Sequence, residues 1–172
     1  MPHTEPLLSV AQIHDRIQGL AAEIRAVHAD HPLWLIGVLK GSFLFHADLV
    51  RALADLDVRV DFLAVHSYAG TSSTGTVRLT HDLQHDIAHE HVLLVEDIVD
   101  TGLTMRYLSD LLQRRAPASL DVCTLLDKPS RRKVPFVPRF VGFTIPDAFV
   151  VGYGLDLDER FRNLPDVRIY HP

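Results

Sequence analysis

Two adjacent carboxylates, Glu96 and Asp97, are followed by a third, Asp100, and then by Thr101, Gly102 and Thr104. Those residue types at that spacing can hold a phosphorylated sugar. A turn of small residues at a helix start leaves backbone N–H groups without intrahelical partners, and the helix dipole adds partial positive charge there. Thr101 and Thr104 can add hydroxyl donors to the same anion site. Glu96 and Asp97 would repel a phosphate, so they suit hydrogen bonds from sugar hydroxyls or a divalent cation. The expected arrangement is phosphate at the turn and diol at the acid pair.

The flanking pattern supplies the elements that must hold these groups. Val92 to Val95 is an unbroken apolar run, as in a strand buried on both faces, and Met105, Leu108, Leu111 and Leu112 recur at helical spacing. The stretch therefore reads strand, acidic turn, helix. Other phosphate motifs fail. A haloacid-dehalogenase phosphatase needs two Asp one residue apart, whereas two residues separate Asp97 from Asp100. Gly70 and Gly75 have P-loop spacing, but Thr76 stands where that motif needs lysine.

Elsewhere strands and helices alternate. Ser9 is a candidate N-cap for a helix in which Val10, Ile13, Ile17, Leu20, Ile24 and Val27 form one apolar face. Trp34–Leu39 reads as a buried strand running into Lys40-Gly41, a second possible anion turn, before a helix carrying Phe43, Leu44, Ala47, Val50 and Leu53. Val58–Val65 is a strand, 66–76 is too polar and Gly-rich to build a core and should be a mobile loop, and Val77–Leu83 returns as a strand. His81, His85 and His89 are four apart, but without a metal-binding motif they read as surface histidines. Leu120–Leu126 is a strand, Pro129–Pro138 a basic, proline-rich surface connection, and Val167–Tyr170 a last strand. Such alternation implies an α/β domain with a parallel sheet covered on both sides.

Bulk properties narrow the class. The 172 residues suit one domain, and 47% apolar with 23% charged residues is ordinary for a globular chain. A net charge of −5 and no long basic run argue against nucleic acid as a partner, with Arg131-Arg132-Lys133 read as solvated surface. The lone Cys123 excludes a disulfide framework and reads as a small core residue. No apolar run approaches a membrane span and the N-terminus lacks signal-peptide form, so a cytoplasmic location without membrane contact is expected.

Residues 95–104, Val-Glu-Asp-Ile-Val-Asp-Thr-Gly-Leu-Thr, resemble the phosphoribosyl pyrophosphate signature of purine phosphoribosyltransferases, most of all the hypoxanthine/guanine type. The resemblance runs from about Trp34 to Arg162 and includes Phe140–Asp156, which is similar to the family's base-binding hood. It implies a type I phosphoribosyltransferase fold: one domain, 1–172, with a core over about 9–140, a hood over about 141–172 and a lid over about 66–80 that carries Ser67-Tyr68. The implied reaction moves a 5-phosphoribosyl group from phosphoribosyl pyrophosphate to hypoxanthine or guanine.

Further roles follow from the resemblance alone. Glu96 and Asp97 would hold the ribose hydroxyls, Asp100 to Thr104, Leu103 included, the 5-phosphate, and Lys40, Gly41 and Arg162 the pyrophosphate. In the family the peptide bond of the Lys-Gly pair is often strained or cis. Asp156 would ligate Mg²⁺, with Glu96 and Asp97 acting through water or ribose. Asp100 would accept a purine proton and Lys128 would donate to the 6-oxo group. Phe149 would stack on the base, and the backbone near Val150 and Asp156 would read its edge. Relatives usually form homodimers or homotetramers. Leu103 and Ala148 depart from residues that many relatives carry. Alternatives are a xanthine-preferring transferase and a nucleotide-sensing regulator that binds RNA, against which the acidic charge and the complete hood count.

Overall fold

Alternate residues of the apolar strands must face opposite ways, and two separate cores result. The computed structural model describes residues 3–68 and 76–171. The elements run β1 (His3–Leu8), α1 (Val10–His28), β2 (Leu33–Leu39), α2 (Phe43–Ala52), β3 (Val58–Tyr68), β4 (Thr76–His81), β5 (His91–Val99), α3 (Leu103–Gln113), β6 (Ser119–Asp127), β7 (Phe140–Thr144), β8 (Val150–Val151) and β9 (Val167–His171). Leu33 and Leu35 of β2 and Leu93 and Val95 of β5 pack under α1 and α2. Their neighbours Trp34, Ile36, Val92 and Leu94 face Met105, Leu108 and Leu112 of α3. Helix α1 starts at Ser9, where side chain and backbone exchange hydrogen bonds with Gln12 in a capping box. Cys123 is buried in the first core.

The main sheet has strand order β4-β3-β2-β5-β6-β7, parallel except for β4, which runs antiparallel to β3. From β2 the chain winds outward to β3, and from β5 it winds the other way to β6. The sheet's topological switch point therefore lies between β2 and β5. A crevice opens beyond the carboxyl ends of such strands, and ligands bind there in open α/β sheets. Lys40 follows β2, and Asp100 to Thr104 follow β5.

Two features differ from expectation, and a third, the histidine series, agrees with it. Strand β5 continues through both acids to Val99, because Glu96, Ile98 and Val99 pair with Thr124, Leu126 and Asp127 of β6. Glu96 and Asp97 are thus fixed on a strand, not in a turn. The N-terminal β1, for which no element was expected, pairs antiparallel with β9, and β8 lies on the other side of β9 in a second, three-stranded sheet. Residues 82–90 form no helix, so His81, His85 and His89 share no helical face; all three are exposed. Among the described residues no helix is long and apolar enough to cross a membrane.

Candidate active site

The carboxyl end of β5 and the start of α3 enclose a cavity of about 250 Å³ lined by Glu96, Asp97, Asp100, Thr101, Gly102 and Thr104. Gly102 caps α3 with φ +83°, in the left-handed region that favours glycine, and its carbonyl accepts the first helical bond from Arg106 N at 2.9 Å. A Cβ on Gly102 would also crowd Arg132 Cδ at 3.1 Å and Phe136 Cβ at 3.3 Å. Leu103 is exposed at the first helical position. Its amide reaches only Thr101 Oγ1, at 3.4 Å, and amides in the first turn of a helix have no intrahelical partner to give to.

The acid pair is in a different state. Glu96 is 7% exposed. Its Oε1 accepts from Asp97 N at 2.9 Å, and Asp97 Oδ1 accepts from Ile98 N at 2.8 Å. Burial, with the Asp97 charge added, pushes the Glu96 carboxyl well above the usual carboxylate range, and burial raises Asp97 as well. A carboxyl raised in the folded state favours folding below its unfolded value, and that contribution is lost as pH rises through the folded value. The pair is therefore a stability cost at neutral pH that a diol's hydroxyls or a cation would offset. Glu96→Gln is expected to raise the melting temperature at neutral pH by about 2–4 °C, the shift made by 1 kcal/mol in a domain of this size, with the gain vanishing near about pH 4. Equal melting temperatures for both proteins across that range would show that Glu96 carries no such cost.

Across the crevice the Leu39–Lys40 peptide bond is cis, one bond before the Lys40–Gly41 bond singled out in the sequence. Gly41 is where three segments meet. A Cβ there would stand 1.7 Å from Asp97 Oδ2, and a Cβ on Gly154 would stand 2.2 Å from the Gly41 carbonyl oxygen. Arg162 Nη1 in turn donates to Gly154 O at 2.8 Å. Asp156 accepts from Glu159 N through Oδ2 at 2.8 Å and meets Arg162 Nη2 through Oδ1 at 3.0 Å. Arg162 Nε is buried without a hydrogen-bond partner.

On the other side of β5, Lys128 is buried at the end of β6, and its Nζ donates to Ala148 O. Phe149 follows, 51% exposed, with its ring edge-on to Tyr170 at 6.1 Å. Val150 is buried and pairs with Ile169. The backbone of Ser67 and Tyr68 completes β3 against Val77 and Thr76, whereas residues 69–75 of the expected lid lie outside the described residues.

The basic run of 131–133 is only in part solvated surface: Arg131 and Lys133 are exposed, but Arg132 is half-buried. Arg132 donates to Val99 O at 3.0 Å, Asp100 O at 2.7 Å and Phe136 O at 3.0 Å, and it pairs with Asp127. Lys133 N donates to Thr101 O at 2.9 Å. Arg131 Nε reaches Asp100 Oδ1 at 3.1 Å, and its Nη1 lies 3.6 Å from Asp147 Oδ2. This connection clamps the back of the turn at 100–104 and orients Asp100. No local sequence signal marks that role, since a charge run and a clamp look alike until the chain folds back.

A sequence model of the phosphoribosyl transferase domain matches residues 5–158. The chain belongs to the phosphoribosyltransferase family. Among phosphoribosyltransferases, it is 48% identical to the hypoxanthine phosphoribosyltransferase of Haemophilus influenzae, over 94% of this chain and 92% of that one. It is 49% identical to the hypoxanthine-guanine phosphoribosyltransferase of Aquifex aeolicus, over 94% and 91%. The solved structure of hypoxanthine phosphoribosyltransferase from Trypanosoma cruzi in complex with the product IMP superposes with a TM-score of 0.92 at 46% identity, over 98% of this chain and 94% of that one. This phosphoribosyltransferase thus has the expected type I fold, with a mostly parallel sheet between helices.

Proposed function

We propose that this phosphoribosyltransferase transfers the 5-phosphoribosyl group of phosphoribosyl pyrophosphate to hypoxanthine, and to guanine, giving IMP or GMP and pyrophosphate in purine salvage. The observation that carries the reading is the end of β5, where buried Glu96 and half-buried Asp97 lead directly into a turn of small residues at the start of α3. The amides of Asp100 to Thr104, with the Thr101 and Thr104 hydroxyls, hold the 5-phosphate. Leu103 contributes its backbone alone. Glu96 and Asp97 accept from the ribose hydroxyls.

Breaking the bond to pyrophosphate leaves a ribose with oxocarbenium character, so the leaving group must be neutralised and the base nitrogen held in line. Lys40, the Gly41 backbone and Arg162 take the pyrophosphate. As one ring nitrogen of the purine attacks, Asp100 accepts the proton from the other. Lys128 donates to the 6-oxo group, which favours 6-oxopurines over adenine. The free face of Phe149 stacks on the ring, and the backbone at Val150 and near Asp156 reads its edge. Ser67 and Tyr68 lead into a lid that excludes water.

Hard carboxylate oxygens fit Mg²⁺, which binds through few protein ligands plus phosphate oxygens. Among the described residues no group of three or more His, Cys, Asp or Glu side chains is placed to hold a metal ion by itself. Asp156 would hold the ion directly, since each of its oxygens keeps a further lone pair, with Glu96 and Asp97 acting through water or ribose. When bound it supplies charge neutralisation to the leaving pyrophosphate. A cytoplasmic homodimer or homotetramer, acting on small molecules without nucleic acid or membrane, is the setting expected for such an enzyme.

The test is a panel of hypoxanthine, guanine, xanthine and adenine with phosphoribosyl pyrophosphate and Mg²⁺, following nucleotide formation. Turnover of hypoxanthine, with or without guanine, is expected. Turnover of adenine or xanthine alone would overturn the assignment of the base site.

A further inference from the structure

The two cations assigned to the pyrophosphate already share an anion. Glu159 Oε2 lies 3.1 Å from Lys40 Nζ and 3.3 Å from Arg162 Nη2. All three side chains line one open cavity of about 340 Å³ with Leu39, His66 and Thr80. The Lys40 ammonium above all, helped by Arg162, holds the Glu159 carboxyl below the usual carboxylate range, so it is charged at neutral pH.

The backbone delivers this carboxylate at a cost. Leu157 and Arg160 bond reciprocally, N–H to C=O, at 3.2 and 3.0 Å across a two-residue turn formed by Asp158 and Glu159. Both turn residues have positive φ, +50° and +61°, the conformation for which such turns favour Asn and Gly. A long acidic side chain held in an unfavourable backbone region and set against two functional cations is an outlier from which a role can be argued. The turn itself is anchored, since Glu159 N donates to Asp156 Oδ2.

We propose that Glu159 is an intramolecular counter-ion for Lys40 and Arg162, which the pyrophosphate group must displace on binding and which returns as pyrophosphate leaves. The proposal rests on the reading above that places pyrophosphate at these two cations. The Lys40 and Glu159 side chains are 67% and 64% exposed, so their pair is water-screened and exchanges readily, as a displaceable contact must. A pyrophosphate, with several charges spread over its oxygens, outcompetes a single carboxylate. The carboxylate nevertheless lowers the net gain, and this hastens product departure.

Titration calorimetry of the wild-type protein and Glu159→Gln with inorganic pyrophosphate, in the presence of Mg²⁺, tests the proposal. Removing the charge is expected to tighten pyrophosphate binding about three- to tenfold, the range that one or two screened ion pairs supply. Product inhibition by pyrophosphate should strengthen in parallel, with KM for hypoxanthine unchanged. Unchanged or weaker pyrophosphate binding by Glu159→Gln, in a preparation whose wild type forms nucleotide, would overturn the counter-ion role and leave the proposed reaction standing. A wild type that neither binds pyrophosphate nor forms nucleotide would overturn both.

Discussion

Asp100→Asn is expected to lower kcat by about 10²–10⁴-fold, the usual contribution of a positioned general base, while the Kd for phosphoribosyl pyrophosphate changes by no more than about twofold. The amide keeps the size of the carboxylate and can still accept from Arg131 Nε, which lies 3.1 Å from Asp100 Oδ1. Arg132 grips the carbonyls of Val99 and Asp100, backbone groups that the substitution leaves in place. The phosphate turn should therefore stay formed while the proton acceptor is lost. Single-turnover rates and equilibrium binding, measured separately, decide the matter. Equal losses in rate and affinity would make Asp100 a structural member of the turn.

Lys128→Met is expected to lower kcat/KM for hypoxanthine by about 10- to 100-fold, the range for losing a hydrogen bond from a charged donor, without a matching fall for adenine. Lys128 is buried at the end of β6, and methionine nearly matches its length without a donor. Its Nζ contact with Ala148 O ties it to the loop that carries Phe149, so some loosening of the hood is also expected. The same panel of four bases measures the effect. A uniform fall for every base would mean that Lys128 holds the hood and does not read the purine.

The parts of this architecture that were legible beforehand are those written locally. The Val92–Val95 run, the Asp100-Thr101-Gly102-x-Thr104 turn and the helical spacing after it lie within one short stretch, so period and turn chemistry reveal them together. The Ser9 cap of α1 is legible for the same reason. What escaped depends on distant partners. Strand β1 contains Pro6 at a register shift and exists by pairing with β9 at the far end of the chain. The extension of β5 through Glu96 and Asp97 is held by β6, against the propensity of acids to end strands. Arg131 and Arg132 look like solvated charge until the connection after β6 folds back on Val99 and Asp100. Glu159 is one acid among several until its turn brings it to Lys40.

Soaking or co-crystallising the protein with IMP most directly tests the claim that the end of β5 sorts phosphate from sugar. The 5-phosphate is predicted to lie on the backbone amides of 100–104 and the ribose hydroxyls on Glu96 and Asp97, with the purine between Lys128 and Phe149. Density for the nucleotide elsewhere, with that turn bare, would contradict the account.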